Sequence, residues 1–343
     1  MRDVFRERCA CAALLIAGLG VTAAWGAPAI KTRTIDCSKG KSIQAVLDSE
    51  KADSLILELS GICQEDVDIN RSNVVLRGND PTVDGIRGAT ADPSTAPPVL
   101  SIHDARNVTL ENIGIYDGAR HGLLATDVFR LIISNARIEG HASNGVMAFG
   151  VDIVRIANTT ISAGVDGIQA VGDVTCSGCT IDAGRIGFLA FEGQHTLTGN
   201  STVTSGGYGV FAQLAASLEI RDSSVEGPWG SAYAFGNARV ALYNSTIGDG
   251  PLSCEEDSTL VLDNTQMLAN LDGGNYIFRG CRVYMANGAK VEGDAYVAQF
   301  STLSFEDAGS SVDGSLYCSE GADAHCASPA SAFTGTSSCG QCQ

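Results

Sequence analysis

The feature that most constrains this chain is an internal repeat of about 22 residues. Ten segments align at that spacing: NVTLENIGI from Asn107, RLIISNARI from Arg130, IVRIANTTI from Ile153, VTCSGCTI from Val174, HTLTGNSTV from His195, SLEIRDSSV from Ser217, RVALYNSTI from Arg239, TLVLDNTQM from Thr259, and the looser RVYMANGAKV from Arg282 and TLSFEDAGSSV from Thr302. Each reads as a short alternating strand, a polar turn and a second strand. The turn falls on Asn112, Asn135, Asn158, Gly178, Asn200, Asp222, Asn244, Asn264, Asn287 and Asp307. These residue types tolerate left-handed backbone, and stacked Asn side chains can hydrogen-bond along the column. A third strand follows, usually opening with Gly: HGLLATD from His121, NGVMAFG from Asn144, DGIQAVG from Asp166, IGFLAFE from Ile186, YGVFAQL from Tyr208 and GSAYAFG from Gly230. Three short strands per repeat, stacked at about 4.8 Å around alternating apolar residues, make an all-β, single-stranded parallel β-helix of about ten coils. No coil can bury its apolar side alone, so stability must come from neighbouring coils. A leucine-rich horseshoe has a similar period, but its Leu-rich consensus and helical half-repeat are missing.

Composition agrees. Gly is abundant at 40, Pro is scarce at 8, aromatics are 6%, and no stretch reads as a long amphipathic helix. Arg2, Arg6 and Arg8 precede an apolar run from Cys9 to Ala24, with small residues around Gly26 and Ala27. This reads as a secretory signal over residues 1–26. The alternative, a retained membrane anchor, meets a run that is short for a full span. The expected location is therefore secreted or periplasmic. The cap and opening strand are assigned to 27–72, with SIQAVLDSE from Ser42 as a short helix and SLILELS from Ser54 as a strand. The β-helix is assigned to 73–319 and a Cys-rich tail to 320–343.

Two of the twelve cysteines fall in the signal. Export and an even remainder argue for disulfides. The pairs expected are Cys37–Cys63, Cys176–Cys179, Cys254–Cys281, and two among Cys318, Cys326, Cys339 and Cys342. The last four could instead bind zinc, since Cys339-Gly-Gln-Cys342 has ligand-like spacing. The formal charge is −17, and about −18 once a signal with three Arg against one Asp and one Glu is removed. Such a field disfavours nucleic acid and anionic membranes. It also opposes a polyanionic polysaccharide unless Ca²⁺ bridges the charges. No carboxylate cluster in the sequence supports a Ca²⁺ site, and no cofactor is expected.

The repeat, DCSKGKSIQAVLD from Asp36 and LSGICQEDVDI from Leu59 together resemble the pectin-lyase-like superfamily of right-handed parallel β-helices, as in bacterial exported β-helix repeat proteins. The resemblance spans roughly Asn73 to Ser319. It implies the fold. It does not choose an activity, because the superfamily includes polysaccharide lyases, hydrolases, epimerases, phage tailspikes and non-enzymatic surface proteins.

Related enzymes work on the outer face of the Gly-led sheet. Alternation predicts two outward columns there. One is Ser101, Leu124, Met147, Gln169, Leu189, Phe211 and Tyr233. The other is His103, Thr126, Phe149, Val171, Phe191, Gln213 and Phe235. Neither offers the converging carboxylates of a Ca²⁺-dependent lyase or a glycoside hydrolase, and the NTD, DD, GHG and RIK signatures of polygalacturonases are missing. His103, Phe149, Phe191, Phe211, Tyr233 and Phe235 are the candidate substrate-binding residues. Three readings compete for the aromatic stripe: it stacks on sugar rings, it is covered by loops or another subunit, or the register is off by one and it is core.

The loops before the Gly-led strands carry Asp117, Arg120, His121, His141, Asn144, Asp166 and Arg185. His121, Asn144 and Asp166 hold the same position in successive coils. With Arg120, these three are the catalytic candidates for proton abstraction beside a carboxylate, in lyase or epimerase fashion, with Arg neutralising the developing charge. The competing reading makes them ordinary turn residues. His195 reads as structural, and Trp229, after Pro228, reads equally as ligand contact or packing. Two functions follow. One is an exported β-helix that binds or processes a polysaccharide on the Gly-led sheet. The other is a non-enzymatic structural or surface protein that uses the same face for protein contacts or self-association.

Overall fold

The computed structural model describes residues 30–342, apart from 249, 269–274, 278–279, 320 and 328–332. The segment 1–26, read as a signal, lies outside the described residues. The described residues form a parallel β-solenoid whose strands fall on three faces. The first carries the Gly-led strands, such as Asp166–Val171, Ile186–Phe191 and Tyr208–Gln213. The second carries the strands that lead into the Asn turns, such as Asp173–Ser177 and Gln194–Thr198. Among the described residues the third contains twelve strands, from Ile62–Gln64 to Ser311–Asp313. Leu123–Ser134 and Val146–Ala157 run from the first face through the corner onto the second. Inward positions are filled by aliphatic side chains such as Ile156, Ile168, Leu197 and Leu242, all buried.

The solenoid has about thirteen turns, not ten. Ile30–Asp36 already pairs with Ser54–Ser60, and Asp323–Cys326 still pairs with Thr302–Phe305. Bridges Val312–Phe333 and Leu316–Ser337 carry the stacking into the tail. The outermost coils escape the repeat because they lack its markers: the first turns on Gly61 at φ 82° rather than on Asn.

Of the ten expected turn residues, nine are left-handed, from Asn112 at φ 51° to Asn287 at φ 53°. Asp307 is the exception. Its carboxylate accepts the N–H groups of Gly309 and Ser310 at 2.7 and 2.9 Å, shaping the turn through the side chain instead. The Asn ladder forms in two runs. Asn158 donates to Asn135 and Asn135 to Asn112, at 3.3 and 3.2 Å; Gly178 then interrupts, and Asn264 donates to Asn244 at 2.8 Å. Just inside this turn runs a column the repeat did not announce: Thr159, Ser201, Ser223, Ser245 and Thr265, all buried. Their hydroxyls serve the corner backbone, as where Ser245 donates to the Tyr243 carbonyl at 2.8 Å and Ser201 accepts the Cys179 N–H at 3.0 Å, so these buried polar groups are paired.

The Gly lead of the first-face strands follows from a close approach. A Cβ on Gly187 would lie 2.1 Å from Val203 Cγ1 and 2.6 Å from the Gly209 carbonyl oxygen. Only Gly lets the first and third faces meet at so sharp a corner.

The helix Ile43–Ser49 covers one end of the tube with Ile43 and Leu47. Ser42 accepts the Ala45 N–H, and Glu65 accepts the N–H groups of Ile43 and Gln44, so its orphan donors are satisfied. The disulfides are Cys37–Cys63, Cys176–Cys179, Cys254–Cys281, Cys318–Cys339 and Cys326–Cys342. The four tail cysteines are thus consumed in pairs, which removes the thiolates that the zinc alternative needs. Among the described residues, no helix is long and apolar enough to cross a membrane.

Candidate functional site

The outward columns stand in register. Leu124 is paired with Ser101 and Met147, Met147 with Gln169, Gln169 with Leu189, Leu189 with Phe211, and Phe211 with Tyr233. In the second column Thr126 lies between His103 and Phe149, and Phe191 between Val171 and Gln213. All are half-buried except Leu189, which is covered. The aromatic members are therefore not core.

They gather at one end. Phe211 and Tyr233 stack with ring centroids 4.6 Å apart, and Tyr208 lies 5.5 Å from each. Trp229 meets Tyr208 edge-on at 6.0 Å, and Phe235 lies 6.2 Å from Tyr233. Trp229 is 62% exposed. The result is a five-ring platform on the outer face. Phe149 and Phe191 sit in the second column on earlier coils, outside this stack.

The sequence reading missed Tyr208. Strict alternation from Val210 and Ala212, both buried, points it inward. The strand begins at Tyr208, beside the corner, and its ring instead joins the platform. The reading also passed over Glu255, which continues the second column one coil beyond Phe235, its N–H bonded to the Ala234 carbonyl at 2.9 Å. Burial raises the Tyr233 phenol above its ordinary range, and its hydrogen bond to Glu255 adds to this.

The polar candidates occupy the same edge of the sheet, on neighbouring coils. His121, Asn144 and Asp166 stack through backbone bonds, Gly122 N–H to the Asn144 carbonyl and Gly145 N–H to the Asp166 carbonyl, both 2.9 Å. The column then continues through Ile186 to Tyr208. Access differs along it. His121 is half-buried; Asn144 and Asp166 are buried. Asn144 donates to Gln169 at 2.7 Å and accepts from Ser143 at 3.1 Å. Asp166 is gripped by Arg185 from the next coil, Nε to Oδ1 at 2.9 Å and Nη2 to Oδ2 at 2.7 Å. Its carboxylate is thus occupied by a bidentate partner whose own side chain is 52% exposed. His121 Nδ1 receives the Asn144 N–H at 3.4 Å. Desolvation, and secondarily the Arg120 charge, hold His121 below the ordinary imidazole value, which favours the uncharged ring whose Nδ1 takes the Asn144 N–H.

His141 and Asp117 do structural work. His141 Nδ1 accepts the Gly118 N–H and Nε2 donates to the Ile115 carbonyl, both at 3.0 Å. Burial lowers its pKa to about 4. Asp117 pairs with Arg87 at 2.9 Å. His195 is buried edge-on to Phe188, its Nε2 between the carbonyls of Phe191 and Glu192. His103 lies apart from the platform, toward the N-terminal end. It bonds Asp104 at 3.0 Å and Asp68 at 3.1 Å, and these carboxylates raise its pKa, Asp104 foremost.

Among solved structures, the chain is similar to the full-length tailspike protein 2 of the Escherichia coli O157:H7 bacteriophage CAB120, at 13% identity and a TM-score of 0.56, over 71% of this chain and 39% of that one. It is also similar to the enzymatically active domain of the bacteriophage CBA120 tailspike protein 2, at 12% identity and a TM-score of 0.54, over 74% and 44%. The catalytic domain of a GH87 α-1,3-glucanase in complex with tetrasaccharides aligns at 12% identity and a TM-score of 0.47, over 91% and 70%. The chain thus spans about two fifths of the tailspike chains it matches, and the likeness is one of fold. No curated protein matches it by sequence. A family model described as "Right handed beta helix region" matches residues 98–210 and 163–307, more than half of the chain. With the three-faced parallel solenoid, this shows that the chain belongs to the right-handed β-helix family.

Proposed function

We propose that this is an exported protein that binds a polysaccharide along its Gly-led sheet. The observation that carries the proposal is the platform of Tyr208, Phe211, Trp229, Tyr233 and Phe235, stacked on the outer face rather than in the core. Flat apolar rings with polar handles suit the faces and hydroxyls of sugars. The polar edge that His121 and Arg185 present, over buried Asn144 and Asp166, adjoins it, so a chain lying along the solenoid axis meets both. If processing accompanies binding, His121 is the candidate base once its Nδ1 is released from the long bond to the Asn144 N–H, with Arg120 as the neighbouring positive charge. His103, Phe149 and Phe191 extend the track towards the N-terminus. Export follows from the signal read over residues 1–26, and the five disulfides agree with it.

The test is affinity electrophoresis against a polysaccharide panel, with unsaturated products followed at 235 nm and reducing ends followed in parallel. Retardation that Trp229→Ala and Tyr233→Ala weaken supports the proposal; retardation by no polysaccharide refutes it. The alternative, protein contact through the same face, is favoured by a second ring stack, Tyr296 on Tyr317 at 4.9 Å, which carries the aromatic surface towards the C-terminal end. Light scattering after size exclusion separates the two: a dimer that Trp229→Ala dissociates would replace the carbohydrate reading.

A further inference from the structure

We infer that the ligand of this platform is an electrically neutral polysaccharide, not a uronate polyanion. The inference rests on the carbohydrate reading above and adds the chemical class of the sugar. Its basis is the charge around the rings. Glu255 follows Phe235 in the outward column, its N–H bonded to the Ala234 carbonyl at 2.9 Å, and its charge acts on the Tyr233 phenol. Glu226 is exposed, three residues before Trp229, at the corner from which that indole projects. Glu192 is exposed at the end of the strand that carries Phe191. Three carboxylates thus frame a platform whose rings occupy two adjacent coils, the frame itself running from the coil of Glu192 to that of Glu255, four coils or roughly 14 Å along the axis at the spacing of stacked strands.

On the polar side Arg185 stands one coil before Tyr208, whose N–H bonds its carbonyl at 2.8 Å, and its charge is offset by the two-bond fork to Asp166. Arg120 precedes His121, four coils from Tyr208 along the same column, roughly 19 Å away. A carboxylate on each sugar would therefore face Glu192, Glu226 and Glu255 inside a molecule of formal charge −17, with repulsion at every register. A neutral glycan reverses the sign of the same contacts. Its hydroxyls donate to the carboxylates, which are strong acceptors, while ring faces stack on Phe211, Tyr233 and Trp229. The arrangement thus favours hydroxyl-rich uncharged sugars and excludes acidic ones.

The experiment uses the full chain in affinity gels containing neutral polymers (a soluble β-glucan, dextran, galactomannan), anionic polymers (polygalacturonate, alginate) or chitosan. Each is run at low and high salt, with and without Ca²⁺. The expected result is retardation by a neutral polymer, insensitive to salt, weakened about five- to tenfold by Tyr233→Ala or Trp229→Ala, and unchanged by Tyr317→Ala. Matching thermal melts for the variants show that loss of binding is not loss of fold. Retardation by polygalacturonate or alginate that depends on Trp229, with or without Ca²⁺, overturns the neutral class while leaving the carbohydrate reading intact. Binding to chitosan alone overturns it too. Retardation by nothing brings down both. As a further check, the Glu226→Lys, Glu255→Lys double variant is expected to gain retardation by polygalacturonate; no gain would show that these carboxylates do not set the selectivity.

Discussion

Arg185 reaches back one coil to hold Asp166 with both of its forked nitrogens, at 2.9 and 2.7 Å. The carboxylate is almost wholly buried, while the guanidinium is half in water. Arg185→Ala leaves a buried charge without its partner, which costs about 1–3 kcal/mol. That is less than the loss of a fully buried pair, because water reaches the outer half of Arg185. Arg185→Ala combined with Asp166→Asn is expected to recover part of the loss. Urea unfolding of the four proteins of this double-mutant cycle checks it. A loss in the double variant equal to the sum of the two single losses would mean that the two residues do not act as a pair.

His141 predicts an acid transition. Its pKa is lowered to about 4, below its ordinary 6.5, because burial disfavours the charged ring. The unfolded chain therefore binds a proton between these values that the native chain refuses. The His141 contribution is complete above pH 6.5, and about 3 kcal/mol of it is lost as the pH falls to 4. Protonation would also turn the Nδ1 acceptor of the Gly118 N–H into a donor. Chemical denaturation as a function of pH should show stability falling across this window. In His141→Asn, less stable at neutral pH, the fall should be shallower.

His103 predicts the opposite slope. Asp104, then Asp68, raise its pKa above 6.5. Its stabilising contribution is complete below 6.5 and lost as the pH rises through the higher native value. Titration of the ring by NMR in wild type and Asp104→Asn checks this: the raised value should fall towards 6.5 in the variant.

Gly187→Ala places a methyl group 2.1 Å from Val203 Cγ1 and 2.6 Å from the Gly209 carbonyl oxygen. The backbone oxygen cannot swing away as a side-chain tip can. Overpacking of this kind costs about 1–3 kcal/mol. At Gly40, where a Cβ meets nothing within 4 Å, the penalty arises only from its φ of 71°, so Gly40→Ala is expected to cost less. Paired thermal melts compare the two.

The disulfides should differ in worth. Cys254–Cys281 closes a separation of 27 residues, Cys176–Cys179 one of only 3. Chain entropy assigns about 4 kcal/mol to the first and about 2 kcal/mol to the second. Double Cys→Ser variants of each pair, unfolded in urea, are expected to rank in that order.

The repeat was legible because a solenoid writes its geometry locally. Each Asn turn is a left-handed corner that few residues tolerate, and each Gly lead marks a corner too tight for a Cβ, so the period appears without any long-range information. Alternation likewise set the register of Phe211 on Tyr233 and kept both out of the core. The end coils were not legible, since they turn on other residues. At corners, alternation itself fails: it sends Tyr208 inward and cannot tell half-buried His121 from buried Asp166 at the same repeat position. The partners were beyond the sequence as well. That Arg185 takes up Asp166, that His141 is held between two backbone groups, and that Glu255 reaches Tyr233 depend on how neighbouring coils seat against each other. By itself, then, the sequence determined the solenoid and its outward columns, because those follow from backbone tolerance and period. Only the tertiary structure decided which polar groups are spent on one another and which rings gather into a surface, because side chains from different coils meet through stacking alone.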